Sequence, residues 1–319
     1  MEIIFGLDSN TPATLVVKQD QTRISIVGAV ALFVGSVLSY FVGVLARLEL
    51  GAVSKYVNRL FVFVFGIDMQ EAEKPIEHYK SVEDVFTRRL KQGERPLGEG
   101  DVLSPADGTL SWSAPIYLGT AIQAKGIVYS AEELVFGSGK VPKGFLPSWY
   151  TTVYLAPHNY HRVHTPVDGT LSCIRYIPGA VWPVNKPAVS WVPSLFTRNE
   201  RLVFTFDSKQ GRYHLVMVAA LNVARMVTPF WEDLVTHARI KVDSRVELPY
   251  LEKSFTDVAV NKGSELGTFM LGSTVVLIFE GASIGETNLD VSKGFDSKST
   301  EWGLERIHVS KTVRMGENL

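Results

Sequence analysis

The chain has almost no thiol chemistry: its 319 residues include one cysteine, Cys173. No intrachain disulfide can form, so a reducing compartment is permitted. Within the alternating run Leu171-Ser172-Cys173-Ile174-Arg175-Tyr176 the thiol reads as a small buried apolar side chain rather than a nucleophile. An excess of charge is also missing, since 32 basic and 33 acidic residues leave a formal net charge of −1. No basic run is long enough to follow a phosphate backbone, and nucleic-acid binding has no support. The first 22 residues carry Glu2, Asp8 and Asp20 with few basic residues, and no basic start runs straight into an apolar stretch. Neither an organellar transit peptide nor a secretory signal is expected. Disorder is excluded by a hydrophobic content of 46% against 20% charged residues.

Uncharged length is plentiful in one place. Residues 24–46 contain no formal charge and are about as long as a bilayer crossing requires. Gly35, Ser39 and Gly43 recur every four residues, a stripe that lets helices approach closely in lipid, and Arg23 and Arg47 bracket the segment. Spanning the bilayer and dipping into it are both compatible with this pattern. A second helix is expected over residues 53–65, with Val53, Val57, Leu60, Phe61 and Val64 on one stripe and Lys55, Asn58 and Arg59 away from it. Val62, Phe63 and Phe65 extend its apolar surface, so its second half reads as interfacial. Slightly more basic residues follow the first segment than precede it, which puts the remainder of the chain on the cytoplasmic side. A short helix is expected from the Ser81 N-cap to about Leu90. Its basic end, Arg88-Arg89-Leu90-Lys91, reads as a solvated complement to the helix dipole rather than a lipid-phosphate site.

From about Asp101 the texture changes to short alternating runs separated by Gly, Pro and Asp, with strands expected near 150–155, 170–176, 202–206, 214–223 and 274–279. The fold class is therefore α+β: N-terminal membrane-associated helices over residues 1–68, then a β-rich barrel or sandwich-like domain over 69–319. Ser104-Pro-Ala-Asp-Gly-Thr-Leu-Ser111 is echoed by Thr165-Pro-Val-Asp-Gly-Thr-Leu-Ser172. A duplicated β unit and a coincidence of turn chemistry both account for the echo.

Gly272-Ser273 opens the apolar run Val275-Val276-Leu277-Ile278-Phe279, an unusual place for a hydroxyl. A serine becomes a nucleophile when a base takes its proton, and a carboxylate that fixes the tautomer of that base helps. The run Pro157-His158-Asn159-Tyr160-His161-Arg162-Val163-His164 offers bases, and Asp107 in the first Asp-Gly turn offers a carboxylate. Asp107 could equally cap its turn, as Asp168 does in the echo. Three histidines at three-residue spacing could ligate a metal only across a helix or a sharp bend, so no metal is expected. His78, His214, His237 and His308 are scattered and read as surface or core residues.

Together, Leu271-Gly272-Ser273-Thr274, Pro105-Ala106-Asp107-Gly108 and Tyr160-His161-Arg162-Val163-His164 resemble the phosphatidylserine decarboxylase family. The likeness extends through Ala124-Lys125-Gly126, Pro178-Gly179, Val184-Asn185 and Arg198-Asn199-Glu200-Arg201, in order, over most of the chain. It implies self-cleavage between Gly272 and Ser273 into chains 1–272 and 273–319 that remain associated, with homodimerisation left open. Ser273 would become a pyruvoyl group, the covalent cofactor. Asp107, His164 and Ser273 would form the processing triad, and His161 would sit beside the substrate as proton donor or headgroup contact. The implied reaction converts phosphatidylserine to phosphatidylethanolamine and carbon dioxide through a Schiff base to the pyruvoyl group. The missing transit signal favours a bacterial inner membrane over the mitochondrial inner membrane as the expected location. His158 matches no motif position, residues 221–225 are bulkier than the glycine-rich segment expected there, and residues 281–306 are an insertion. Rival readings are a serine hydrolase, which lacks a Gly-x-Ser-x-Gly elbow around Ser273, a metal-dependent hydrolase, and a non-enzymatic lipid-binding β module.

Overall fold

Successive side chains of a strand point to opposite faces, so a strand that is apolar throughout needs cover on both. Val275, Leu277 and Phe279 enter one core, while Val276 and Ile278 enter another. The structure, a computed structural model, describes residues 43–124, 127–184, 189, 192–220, 225–234, 236, 250–270, 273–281 and 308–319. Its strands, in chain order, are β1 (Gly108–Pro115), β2 (Thr120–Ala124), β3 (Ile127–Ser130), β4 (Pro147–Leu155) and β5 (Arg162–His164). Then come β6 (Gly169–Ile177), β7 (Arg201–Ser208), β8 (Gly211–Ala219) and β9 (Met226–Val227). The last are β10 (Leu251–Val260), β11 (Glu265–Phe269), β12 (Ser273–Glu280) and β13 (His308–Val313).

Eight strands form one antiparallel sheet in the order β10-β6-β7-β8-β12-β4-β1-β13. The order has two ends, so the expected closed barrel is corrected to an open sheet. One end shows why it stays open: β10 exposes Glu252, Lys253 and Asp257 and breaks register between Ser254 and Val258, features that blunt further pairing. The sandwich-like part of the expectation is met on one face, where the small sheet β5-β11-β9 contributes Val163, Leu266, Phe269 and Met226 to the shared core. The other face is covered by the β2-β3 hairpin and by two short helices. Beyond residues 43–46 and the helical residue Val189, the α-helices among the described residues are α1 (Ser54–Phe65), α2 (Val82–Phe86), α3 (Ala131–Phe136) and α4 (Leu195–Arg198). Of these, α3 and α4 are the pair on that face, supplying Leu134, Phe136, Leu195 and Phe196 to its core.

The repeated octapeptide is a structural repeat. Gly108 pairs with Val313 at the start of β1, and Gly169 pairs with Val260 at the start of β6. Each strand then breaks register one residue after its leucine, at Leu110/Trp112 and Leu171/Cys173. Ser104 exchanges backbone hydrogen bonds with Glu317 and Gly316 as Thr165 does with Ser264 and Gly263. Both glycines are required by close approach: a Cβ would strike the Tyr154 carbonyl at Gly108 and lie 2.8 Å from the Asp207 carbonyl at Gly169. The eight-strand order is correspondingly two four-strand halves, β10-β6-β7-β8 and β13-β1-β4-β12, meeting at the β8–β12 pair.

Helix α1 is oriented against its pattern. Its buried residues are Ser54 and Asn58, and Asn58 Nδ2 donates to the Tyr79 carbonyl at 2.8 Å. Leu60, Phe63 and Val64 are exposed, Phe63 at 83%. The expected membrane segment lies largely outside the described residues, which include its last helical residues, 43–46. Among the described residues, no helix is long and apolar enough to cross a membrane. Helix α2 begins at the expected cap, with Ser81 Oγ accepting from the Asp84 amide at 3.2 Å, but it ends at Phe86 rather than near Leu90. Backbone hydrogen bonds from Glu73 to Arg89 and from Lys91 to Glu71 draw the chain into a bridge instead. The basic end is therefore not a solvated helix terminus.

Candidate active site

Asn159 makes the turn that delivers the histidine run to β5: its side chain accepts from the Ala156 amide at 2.8 Å. His161 follows, fully buried, with Nδ1 2.8 Å from the Asn159 carbonyl. A carbonyl only accepts, so Nδ1 carries the proton and Nε2 presents a lone pair. That Nε2 has no partner among the described residues. The Phe86 ring lies 3.9 Å from the imidazole, centroid to centroid. Burial pushes the His161 pKa down to about 3, so the ring is neutral at physiological pH.

His164 ends β5 and is buried as well. Its Nδ1 donates to the Gly263 carbonyl at 2.8 Å, and its Nε2 accepts from the Tyr160 hydroxyl at 3.2 Å. Burial lowers its pKa too. Asp107 is occupied elsewhere. Its Oδ1 and Oδ2 receive Arg95 Nε and Nη2 at 2.9 and 2.6 Å, and the Met315 amide donates to Oδ1 at 2.8 Å. Arg95 Nη2 also donates to Glu71 at 2.7 Å. Burial alone would lower the Arg95 pKa, but its hydrogen bonds to Asp107 and Glu71 hold it above its ordinary value. The expected contact between Asp107 and the His164 ring is therefore not formed, because other groups saturate both side chains. Their link is through the main chain, where the His164 amide donates to the Pro105 carbonyl at 2.8 Å.

Ser273 is the first residue of β12, paired with Leu155 on one side and Ala219 on the other. It is 1% exposed, and its Oγ has no partner among the described residues. Gly272 lies outside the described residues. Strand β11 leads toward this point: Glu265 pairs with His164, and the Phe269 amide donates to the His161 carbonyl at 3.1 Å. Four residue steps separate Phe269 from Ser273, at most about 14 Å. His161 thus lies at the end of the β5–β11 pair from which the chain continues to Ser273, and His164 lies opposite the start of β11. A cleft of 390 Å³ opens beside this end, lined by Thr87, Arg162, Thr228, Trp231, Thr268 and Met270. Arg162 closes one wall through its 2.6 Å ion pair with Glu265.

Two further residues of the site were given no role by the sequence, although Tyr160 stands in the Tyr-His-Arg-Val-His motif. Tyr160 fixes His164 through its hydroxyl, and burial raises the Tyr160 pKa to about 12. Arg88 is 4% exposed and donates from Nη2 to the His158 carbonyl at 3.1 Å. Its Nε and Nη1 have no partner among the described residues, and burial lowers its pKa. The basic tetrapeptide was a visible signal for Arg88, but only the early end of α2 turns this side chain inward. His158 is exposed, and its charge contributes to the lowered pKa of His161. No group of three potential metal ligands occurs among the described residues.

Comparison with known proteins gives a consistent result. A family model described as phosphatidylserine decarboxylase matches residues 82–319. A phosphatidylserine decarboxylase proenzyme of Variovorax paradoxus is 40% identical over 249 residues, covering 78% of this chain and 86% of the relative. The proenzyme of the same name from Dechloromonas aromatica is 40% identical over 283 residues, covering 88% of this chain and 92% of the relative.

Proposed function

The chain belongs to the phosphatidylserine decarboxylase family, and from that premise we propose that it cleaves itself before Ser273 and uses the pyruvoyl group so formed. It is a carboxy-lyase that takes phosphatidylserine to phosphatidylethanolamine and carbon dioxide. The observation that carries the processing step is the Ser273 hydroxyl, buried at the head of a central strand without a hydrogen-bond partner among the described residues. Leaving a buried hydroxyl unpaired costs about 1–3 kcal/mol, a state that reaction with the neighbouring carbonyl relieves. In the proposed sequence Ser273 Oγ attacks the Gly272 carbonyl, the peptide bond becomes an ester, and loss of the Ser273 α-proton eliminates it. Hydrolysis of the resulting dehydroalanine releases ammonia and leaves the keto group.

Asp107, His164 and Ser273 are assigned to processing. The saturated hydrogen bonds of Asp107 and His164 require Tyr160 or Arg95 to yield before either acts on Ser273. The pyruvoyl carbonyl supplies an electron sink when carbon dioxide departs. His161 suits the proton handling of that reaction. As a neutral ring whose Nε2 lone pair has no partner among the described residues, it accepts a proton first, for which the substrate ammonium is the available source. It then returns that proton to the carbon that lost the carboxylate. Residues 1–68 are assigned to membrane attachment, with the exposed apolar face of α1 against lipid and the catalytic part on the cytoplasmic side of a bacterial inner membrane.

The reading is tested by carbon dioxide release from carboxyl-labelled phosphatidylserine. Wild type should release it, and Ser273→Ala should release none and run as one uncut band. Labelled gas from Ser273→Ala would remove Ser273 from the chemistry.

A further inference from the structure

We propose that Arg88 holds the phosphodiester of the substrate headgroup. The inference rests on the decarboxylase reading and assigns a binding residue to that same site. A buried cation without a partner costs several kcal/mol, so buried guanidinium groups are ordinarily paired or fully hydrogen-bonded. Arg95 sits between Glu71 and Asp107, and Arg162 sits against Glu265. Arg201, buried without a carboxylate, spends Nε, Nη1 and Nη2 on the carbonyls of Leu134, Thr197, Asn199 and Glu133. Arg88 follows neither pattern, since only the His158 carbonyl receives it and two of its nitrogens are unpaired among the described residues.

Its position is that of the reaction. Phe86 packs on the His161 ring, and the Thr87 carbonyl receives Arg162 Nε at 3.1 Å while Thr87 lines the cleft. Arg88 comes next in the chain, and its charge contributes to the lowered pKa of His161. The substrate brings two anionic groups, a carboxylate and a phosphodiester. A cation on the carboxylate would stabilise the ground state more than the transition state, because that charge leaves as neutral carbon dioxide. The phosphodiester keeps its charge throughout. A cation that holds it lowers KM and leaves kcat unchanged, as uniform binding requires.

The test uses Arg88→Gln and Arg88→Lys proteins purified after self-cleavage. Kinetics are measured on short-chain phosphatidylserine in mixed micelles. Equilibrium dialysis measures binding of glycerophosphoethanolamine, which has the phosphodiester alone, and of O-methylserine, which has the carboxylate alone. Arg88→Gln should raise KM about tenfold or more and weaken glycerophosphoethanolamine binding by a similar factor, with kcat within about twofold. Arg88→Lys keeps the charge without the planar donors and should recover part of both losses. Unchanged KM in Arg88→Gln would overturn the assignment. So would a fall in kcat accompanied by loss of O-methylserine binding, which would place the arginine on the carboxylate. Should Arg88→Gln not accumulate as folded protein, Arg88→Lys decides by itself, with unaltered KM and unaltered dialysis counting against the proposal. Wild-type protein that releases no carbon dioxide would fail the decarboxylase reading, while the dialysis arm would still report on Arg88.

Discussion

His161 and His164 are three residues apart, yet their rings are held differently. His164 has both nitrogens engaged, whereas His161 Nε2 has no partner among the described residues. A residue that handles a proton during turnover should matter to decarboxylation and not to chain cleavage. His161→Gln is expected to self-cleave and to lose about 10²–10⁴ of kcat, checked by gel and by carbon dioxide release. Full turnover would remove the assigned role. The same residue affects stability. Burial lowers the pKa values of His161, His164 and His214 from the ordinary 6.5, that of His161 to about 3. Below pH 6.5 the unfolded chain binds protons that the folded chain excludes, so stability is complete above that pH and declines as pH falls, for His161 down to about 3. The melting temperature should drop between pH 7 and pH 5, less steeply in His161→Gln. The identity of these residues was legible in the Tyr-His-Arg-Val-His motif, but their partners were not. Asp107, expected to hold His164, is instead bound by Arg95, whose sequence context carries no signal of a partner 12 residues away.

Strand periodicity was the most legible feature at the scale of elements, and the expected runs are β4, β6, β7, β8 and β12 with ends shifted by a few residues. Local pattern cannot state which strand pairs with which, so an open sheet was not separable from a barrel. Helix α1 shows the opposite failure. The apolar stripe is plain in the sequence, but a stripe does not say whether it faces protein or something else, and here Asn58 is buried and Phe63 exposed. Leu60→Asp with Phe63→Asp should therefore cost little folding stability, about 0.5 kcal/mol or less per site. It should sharply reduce sedimentation with anionic vesicles while self-cleavage continues. Undiminished sedimentation would move membrane attachment away from α1. Arg88 belongs here as well, since the helix expected to expose it ends at Phe86, two residues before it.

Across the whole molecule, the octapeptide echo marks a repeated structural unit, in which one half, β6-β7-β8-β10, comes from one stretch of the chain and the other is assembled from both sides of it. Strands β1 and β4 come from before it, and β12 and β13 from after it. The proposed scission before Ser273 would therefore cut at the entrance to a strand bonded along both edges, to β4 and to β8. The proposed 273–319 piece would also carry Met315, whose amide holds Asp107, and Arg314, which lies 3.1 Å from Glu71. The two pieces should co-elute in native buffer and separate only when the sheet unfolds. The most direct measurement is the intact mass of active protein under denaturing conditions, before and after borohydride. Two masses are predicted, corresponding to residues 1–272 and to 273–319 with a reducible terminal carbonyl. A single mass for the full 319-residue chain, unchanged by borohydride in material that releases carbon dioxide, would contradict the account.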